Sequence, residues 1–253
     1  MSHPYFSVLM CAHRDDAFVL PAIRSVLRQT DGDFEFVIVL NACPDTLHER
    51  IAQVADDRLR LYRTAIGQLA FNLNYGLDLC RGQFVVRFDA DDLCHPERLQ
   101  RTRVLINRHP TVDIVAGSCR IVAEDGAVHG GIDVARVRDW RATLRWRNPF
   151  VHPATAIRRD RLLQLGGYTG GLRSEDYDLW LRMAALPDVT AVVDAFPMID
   201  YRVSGQQASG SRLGYAEVAA HLLRECLMRP RLGTAIGVLV AVAKVFLRGG
   251  RRS

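Results

Sequence analysis

Apolar runs alternate with helix-like segments over the first half of the chain. The apolar runs predict β-strands at residues 5–12, 34–40, 59–63, 83–89 and 112–126. Helical spacing of apolar residues, with start and stop signals such as Pro and Gly, predicts helices near 19–27, 45–55, 67–82 and 96–110. Nearly continuous apolar strands that alternate with helices are typical of a mostly parallel sheet covered by helices on both faces. We therefore expect an α/β fold.

Polar residues follow three of these predicted strands. The first, second and fourth strands run into "CAHRDD", "NACPD" and "DADD". Ligands of open parallel sheets bind at the carboxyl ends of the strands, so we expect these three segments to line one crevice. No GxGxxG follows the first strand, which argues against a nicotinamide-dependent dehydrogenase.

The segment "DADD" carries three carboxylates, Asp89, Asp91 and Asp92, within four residues. Like charges this close raise each other's pKa, so a positive partner is expected nearby. Alternation along an extended chain puts Asp89 and Asp91 on one side and Ala90 on the other. Carboxylates combined with substrate phosphates are typical ligands of Mg²⁺, so a divalent-cation site is one interpretation. A capping cluster, in which Asp92 begins the next helix, is the other.

The order of elements changes after residue 127. The acid-rich first turn of "SEDYDLWLRMAA" predicts a helix at 174–185, and "VTAVVDAFPMIDYRV" predicts a strand at 189–203. Apolar residues recur at helical spacing from 215 to 227, and a second apolar run at 232–243 is flanked by basic residues. That run is shorter than the roughly 20 residues that a spanning helix needs. The pattern predicts a helical, basic C-terminal tail.

Two interpretations of this tail stay open. An apolar helix bracketed by cations suits the surface of an anionic membrane, which would place the protein on the inner face of the cytoplasmic membrane. Packing on the domain itself, or on a second copy to form a homodimer, explains the same apolar stripe.

Charge and cysteine content narrow the function classes. The net charge is +5, and Lys244 is the only lysine among 33 Lys and Arg residues. Arginine suits phosphate binding, although a composition bias of the genome explains the pattern equally well. A basic balance does not by itself indicate nucleic acid, and we expect no nucleic-acid partner. The six cysteines form no CxxC pair and no signal-peptide pattern begins the chain, so we expect a reducing, cytoplasmic environment.

Four separated segments resemble family 2 glycosyltransferases of GT-A fold, over roughly residues 5–203. These are "FSVLMCAHRDD", "DFEFVIVLNACPDTL", "RGQFVVRFDADDLCHPERL", and "NPFVHPATAIRRDRLLQLGGY" with "SEDYDLWLRMA". Members of this family transfer sugars from nucleotide donors with inversion. The resemblance implies a single catalytic domain at 1–210, with a donor half at 1–125 and an acceptor half at 126–210. A helical extension at 211–253 would follow it.

The resemblance also implies donor-binding residues. Ala12 and His13 would lie in the first donor loop, with His13 packed on the base. Asn41 stands where relatives carry an Asp that faces the uracil edge. Asp89 would contact the ribose or the donor sugar, and Asp91, with Asp89 beside it, would hold the Mn²⁺ or Mg²⁺ that bridges the donor diphosphate.

The "ED" pair would supply the catalytic base. The resemblance assigns this role to Asp176, with Glu175 as the competing choice. A helix N-terminus and the neighbouring Arg173 would help to keep Asp176 ionised. His152 and Trp180 are expected on the acceptor side, although Trp180 also fits a place in the core.

Two positions depart from the family pattern. The side chain of Asn41 is neutral and can donate as well as accept, so a cytosine base or a looser base site stays open besides uracil. Ser204, in "YRVSGQQAS", stands where relatives often carry a His that completes the metal site. The metal would then have fewer protein ligands, or another ligand such as His152.

The expected function is inverting transfer of a sugar, of the hexosyl or N-acetylhexosaminyl type, from a nucleoside-diphosphate donor. A UDP-sugar is the expected donor, and the acceptor would be a hydroxyl of a glycan or lipid-linked substrate in bacterial polysaccharide or glycolipid assembly. A catalytically impaired nucleotide-sugar-binding or scaffold protein of the same fold is the alternative. A nucleotidyltransferase is disfavoured because the loop after the first strand is not rich in Gly.

Overall fold

A central sheet organises the protein. The computed structural model describes residues 3–203 and 211–247. The strands are β1 (Phe6–Ala12), β2 (Phe34–Asn41), β3 (Leu59–Thr64), β4 (Phe84–Asp89), β5 (Leu93–Cys94), β6 (Ile114–Val122), β7 (Val128–Ile132), β8 (Thr155–Arg158) and β9 (Ala191–Arg202).

Helices connect most of these strands. They are α1 (Val19–Leu27), α2 (Asp45–Ala52), α3 (Leu69–Leu79), α4 (Arg98–Arg108), α5 (Trp140–Thr143), α6 (Arg159–Gln164), α7 (Glu175–Ala184), α8 (Arg212–Met228) and α9 (Leu232–Leu247). Short 3₁₀ turns lie at Val134–Arg136 and His152–Ala154. The helices predicted from the sequence are all present, with ends that differ by a few residues.

The sheet is mixed, with a parallel half. The strand order is β3-β2-β1-β4-β8-β6-β9-β5, and β7 pairs with β6. β3, β2, β1 and β4 are parallel, as are β6 and β9, whereas β8 runs antiparallel between β4 and β6. The predicted α/β fold with a mostly parallel sheet is confirmed.

Alternate residues of the central strands enter two buried clusters, one on each face of the sheet. In β1, Val8 and Met10 belong to one cluster, and Leu9 and Cys11 belong to the other. α1, α2 and α4 cover the first face, whereas α3, α6 and α7 cover the second. Because both faces are buried, the strands read as continuous apolar runs in the sequence.

The C-terminal helices pack on the second face. Ala219 and Leu222 of α8 and Ala241 of α9 are buried in the same cluster as α7. Packing on the domain, one of the two interpretations of the tail, is therefore present in the structure. None of the helices within the described residues is long and apolar enough to span a bilayer.

Candidate active site

A cavity of about 700 Å³ opens at the carboxyl ends of β1, β2 and β4. The register explains this convergence, because Cys11 at the end of β1 pairs with Asp89 at the end of β4, and Ala12 pairs with Leu40 of β2. The three polar strand ends therefore meet in one crevice, as expected. Of the residues assigned from the sequence, the cavity is lined by Ala12, His13, Asn41, Asp89, Asp91 and Glu175.

Asn41 presents an open acceptor at the floor of this cavity. Its side chain is only 7% exposed, and its Oδ1 has no hydrogen-bond partner among the described residues. Ala42, the next residue, has a φ of 46°, so the backbone turns sharply directly after the strand. A buried acceptor without a partner costs about 1–3 kcal/mol, so this position favours a ligand that donates an N–H.

The carboxylates of Asp89, Asp91 and Asp92 form a compact cluster. Their ligand oxygens lie within 4.8 Å of one another. Burial, followed by the charge of Asp89, raises the pKa of Asp91 to about 6, and burial raises the pKa of Asp92 as well. Three oxygen ligands at this separation, destabilised by burial and mutual repulsion, suit a hard divalent cation.

Asp92 is a member of this cluster that the family resemblance did not assign. Its Oδ1 accepts from the backbone N–H of Arg202 at 2.9 Å, and its buried Oδ2 has no partner among the described residues. The alternative that Asp92 caps the next helix is wrong, because α4 begins at Arg98 and its N-cap is Glu97.

Arg87 is the positive partner that the acidic cluster requires. Its side chain is buried in β4, and its Nη2 donates to Oδ1 of Asp89. Its Nη1 donates to the backbone oxygen of Phe88. Sequence reasoning missed this residue, although a single Arg inside the apolar run "FVVRF" was a signal for it.

A second cavity, of about 320 Å³, lies beside the first. Segment 145–148, the first turn of α7, α8 and α9 line it, and Arg173 lines both cavities. Glu175 faces the first cavity and Asp176 faces the second. The "ED" pair therefore stands at the boundary between the two spaces.

Burial raises the pKa of both carboxyl groups of this pair. The pKa of Glu175 rises to about 7, through burial first and the charge of Asp176 second. Burial also raises the pKa of Asp176, while hydrogen bonds from the backbone N–H of Tyr177 and from Nδ2 of Asn148 oppose this rise. The ionised form of Asp176 therefore has specific support, and that of Glu175 has less.

His152 lies next to the "ED" pair and lines neither of the two cavities. Its Nε2 lies 3.0 Å from the hydroxyl of Tyr168, and its Nδ1 lies 4.0 Å from Oε1 of Glu175. Burial, followed by the charge of Arg87, lowers the pKa of His152 well below its usual range. The imidazole is therefore neutral at physiological pH. The side chain of His152 is only 7% exposed, and the carboxylate near it belongs to Glu175 of the pair itself.

Trp180 does not face an acceptor. Its side chain is 0% exposed and packs against the rings of Phe150 and His152. The assignment of Trp180 to the acceptor side is therefore wrong for direct contact, because the first turns of α7 bury the ring in the core. Trp146, which is 44% exposed, is the indole that lines the second cavity.

Glu217 of α8 holds the loop that precedes the "ED" pair. Its Oε1 accepts from the N–H of Leu172 at 2.8 Å, and its Oε2 accepts from the N–H of Arg173 at 2.9 Å and from the hydroxyl of Ser174 at 2.8 Å. Gly171 has a φ of 64°, and a Cβ there would lie 2.6 Å from Oε2 of Glu217. No short-range sequence signal predicted this contact.

Ser204, the position that departs from the family's metal ligand, lies outside the described residues.

Comparison with known proteins agrees with the resemblance. The family model described as "Glycosyl transferase family 2" matches residues 7–166. The chain is 30% identical over 246 residues to the O-antigen biosynthesis glycosyltransferase WbnJ of Escherichia coli, covering 96% of each chain. It is 27% identical over 193 residues to an E. coli UDP-Gal:alpha-D-GlcNAc-diphosphoundecaprenol beta-1,3-galactosyltransferase, covering 72% of this chain and 68% of that one.

Solved structures share the fold at low sequence identity. The mannosyltransferase PcManGT from Pyrobaculum calidifontis, in complex with GDP-Man and Mn²⁺, superposes with a TM-score of 0.67 at 18% identity, covering 100% of this chain and 77% of that one. S. aureus TarS 1-349 in complex with UDP-GlcNAc superposes with a TM-score of 0.66 at 15% identity, covering 95% and 80%. The predicted GT-A type fold is confirmed. The chain is a glycosyltransferase and belongs to glycosyl transferase family 2.

Proposed function

We propose that the protein is an inverting glycosyltransferase that moves a sugar from a UDP-sugar to a hydroxyl of a glycan or lipid-linked acceptor in bacterial polysaccharide or glycolipid assembly. One observation carries this proposal. Asp89 and Asp91 of the acidic cluster line one cavity with Asn41, and the carboxylate pair stands between that cavity and a second one. The two E. coli relatives, named for O-antigen synthesis and for transfer to a diphosphoundecaprenol-linked sugar, support the acceptor class.

The donor would lie in the first cavity with its base toward Asn41. The Oδ1 of Asn41 would accept the N–H of uracil, and His13 would pack against the base at the rim. Arg14 and Arg173 also line this cavity and would contact the diphosphate. Guanidinium groups suit phosphate oxygens because they can donate two parallel hydrogen bonds.

The acidic cluster fits a divalent cation. Asp91, together with Asp89 and Asp92, would hold Mn²⁺ or Mg²⁺, since their oxygens are close together and one buried oxygen of Asp92 has no partner within residues 3–203 and 211–247. The bound ion would neutralise the leaving nucleoside diphosphate. The Pyrobaculum calidifontis mannosyltransferase of the same fold was solved with Mn²⁺, which supports this assignment.

Asp176 would take the proton of the acceptor hydroxyl from the side of the second cavity. Its hydrogen bonds with Asn148 and with the Tyr177 N–H support the ionised form. Glu175, on the donor side, has a pKa raised to about 7 and would be partly protonated near neutral pH, which limits repulsion between the two groups. A base that acts on the face opposite the leaving group leads to inversion.

The proposal is tested by calorimetric titration with UDP, CDP, GDP and dTDP, each with and without Mn²⁺. Wild-type protein, Asp91→Ala and the exposed-site control Asp57→Ala would be compared. We expect UDP to bind tightly only with Mn²⁺, and this binding to be lost in Asp91→Ala but not in Asp57→Ala. A preference for CDP would instead assign a cytosine-containing donor, because the side chain of Asn41 can donate as well as accept. Absence of binding for every nucleotide would refute the proposed donor site.

A further inference from the structure

Arg87 is a buried cation in a strand whose neighbouring residues are apolar. Its side chain is 2% exposed. Val86 and Phe88 enter the buried cluster on one face of the sheet and Val85 enters the cluster on the other, so strand alternation places Arg87 on the face of Val85. Asp89, two residues farther along, follows on the same side. The pairing of Arg87 with Asp89 is therefore built into the geometry of β4.

The guanidinium of Arg87 is held at two points. Nη2 donates to Oδ1 of Asp89, and Nη1 donates to the backbone oxygen of Phe88. The backbone oxygen of Arg87 itself accepts from Nη2 of Arg98 at 2.8 Å. In the described part of the chain, Asp89 is the carboxylate that forms an ion pair with Arg87. Because a buried cation that loses its partner is strongly destabilised, Arg87 binds Asp89 firmly.

The other two carboxylates of the acidic cluster are placed differently. No cationic side chain within residues 3–203 and 211–247 forms an ion pair with Asp91 or Asp92. Oδ1 of Asp92 accepts from the backbone N–H of Arg202, and its Oδ2 has no partner among the same residues. Asp91 and Asp92 therefore have oxygens to offer an ion, whereas one oxygen of Asp89 already accepts from Arg87.

A divalent cation at this cluster would lie close to the guanidinium. The ligand oxygens of the three aspartates lie within 4.8 Å of one another, and Nη2 of Arg87 contacts one of these carboxylates. Like charges repel most strongly where water is excluded. Arg87 therefore opposes metal binding in two ways, by repulsion and by its hydrogen bond to Asp89. The diphosphate of a bound nucleotide would bring oxygens and negative charge that offset this opposition.

We infer that Arg87 competes with the divalent cation for Asp89, and thereby keeps the affinity of the acidic cluster for the ion low unless a nucleoside diphosphate is also bound. This inference rests on the proposed function, because it assumes that the cluster holds a metal ion. Arg87 is thus a positioning residue that acts through Asp89. Since the protein by itself holds the ion weakly, the ion can leave together with the product diphosphate.

The test measures Mn²⁺ binding to the full-length protein without nucleotide, with the free ion counted by electron paramagnetic resonance. Arg87→Met removes the charge and keeps a long side chain, whereas Arg87→Lys keeps the charge. The control is Arg103→Met. It removes a guanidinium that pairs with Asp31 and lies over the ring of Phe6, at the opposite end of β1 from the acidic cluster.

We expect Arg87→Met to bind Mn²⁺ about tenfold more tightly than wild type, since a repelling charge is lost and both oxygens of Asp89 become available. Arg87→Lys and Arg103→Met should stay within about threefold of wild type, because the charge near the cluster is unchanged. A purely structural role for Arg87 predicts the opposite sign, since damage to the site weakens binding. Unchanged or weaker Mn²⁺ binding by folded Arg87→Met would overturn the inference.

A second variant covers the case in which an unpaired Asp89 unfolds Arg87→Met. Arg87→Met/Asp89→Asn removes both partners, so the net charge of the cluster and its cation is that of the wild type. We expect its affinity for Mn²⁺ to stay within about threefold of the wild-type value. Loss of Mn²⁺ binding would instead show that Asp89 serves the ion and not Arg87, which overturns the inference. Thermal unfolding identifies the variants that are folded.

Failure of this inference and failure of the proposed function give different results. If the wild type binds UDP with Mn²⁺ but folded Arg87→Met gains no affinity for Mn²⁺, the inference alone is overturned. If the wild type binds Mn²⁺ neither with nor without UDP, the metal site of the proposed function is refuted, and the inference with it.

Discussion

Glu175 and Asp176 are neighbours in sequence but face different cavities. Burial raises the pKa of both, and the specific hydrogen bonds from Asn148 and Tyr177 go to Asp176. Two adjacent negative charges in a low-dielectric site are unfavourable, so Glu175, whose pKa is raised to about 7, is expected to be partly protonated near neutral pH. This division supports different roles for two residues that the sequence alone could not separate by chemistry.

We predict that Asp176→Asn lowers the rate of sugar transfer by about 10²- to 10⁴-fold, because an amide cannot accept the proton of the acceptor hydroxyl. Affinity for UDP with Mn²⁺ should stay close to that of wild type. Glu175→Gln should lower the rate much less, since a protonated Glu and a Gln resemble each other. Transfer rates and calorimetry on both variants check this. The reverse order of the two rate losses would assign the base to Glu175.

The raised pKa of Glu175 also predicts a pH dependence of stability. Between the ordinary value of 4.5 and the folded-state value of about 7, the folded protein binds more protons than the unfolded chain. The free energy of unfolding contributed by this group therefore falls as pH rises through that window. Glu175→Gln should abolish this loss. Its free energy of unfolding, relative to that of wild type, should therefore rise by up to about 3 kcal/mol between pH 4.5 and pH 7.

Urea unfolding of wild type and Glu175→Gln at several pH values measures this difference. Glu49→Gln, at an exposed position on α2, is the matched control and should show no comparable trend. A difference between wild type and Glu175→Gln that is constant with pH would contradict the raised pKa.

At the scale of elements, α8 controls the loop before α7. Three hydrogen bonds from residues 172–174 converge on Glu217, and Nε2 of His221 lies 3.1 Å from the hydroxyl of Ser174. Because Arg173 lines both cavities, this loop places one guanidinium beside both spaces. Glu217 is thus a positioning residue, located outside the segments that match the family.

We predict that Glu217→Ala lowers kcat about tenfold or more, because a charged acceptor shared by three donors is worth several kcal/mol and holds the loop in one conformation. Amide hydrogen exchange at residues 171–174 should become faster in this variant. Glu217→Gln should restore part of the rate. Glu225→Ala, eight residues farther along α8 and paired with Arg224 and Arg229, is the control and should leave both readouts near wild type.

Element boundaries agreed with the sequence where local signals exist. A helix was predicted at 96–110, and α4 spans Arg98–Arg108. Another was predicted at 67–82, and α3 spans Leu69–Leu79, with the side chain of Gln68 as its N-cap. The insertion of β8 between β4 and β6 was not predicted, because strand order depends on long-range pairing that a four-residue strand does not encode locally.

At the scale of the whole molecule, one side of the C-terminal helices remains apolar and exposed. Leu239 is 70% exposed and Phe246 is 71% exposed, although α9 also forms a wall of the second cavity. Surface patches of this kind mark interaction sites. We propose a membrane surface as the partner, because the acceptor class of the proposed function includes lipid-linked sugars.

We predict that the full-length protein floats with vesicles containing phosphatidylglycerol, and that Leu239→Asp/Phe246→Asp lowers the bound fraction several-fold, because charged residues are expelled from the interface. Binding of UDP with Mn²⁺ should persist in the variant. Vesicle flotation and calorimetry check both statements. A wild-type dimer in solution that this variant converts to a monomer, with no flotation of either, would instead assign the surface to a second copy of the chain.

The sequence by itself determined the α/β class, the three polar strand ends that meet in one crevice, the acidic "DADD" cluster and the "ED" pair, because each follows from local periodicity or from adjacent residues. The tertiary structure alone decided what surrounds them. It placed Arg87 next to the acidic cluster and brought Glu217 of α8 into hydrogen-bond contact with the loop before α7. It also buried Trp180 in the core and packed α9 against Arg145. These contacts join residues far apart in the chain, and burial and pairing over such distances are settled only by packing.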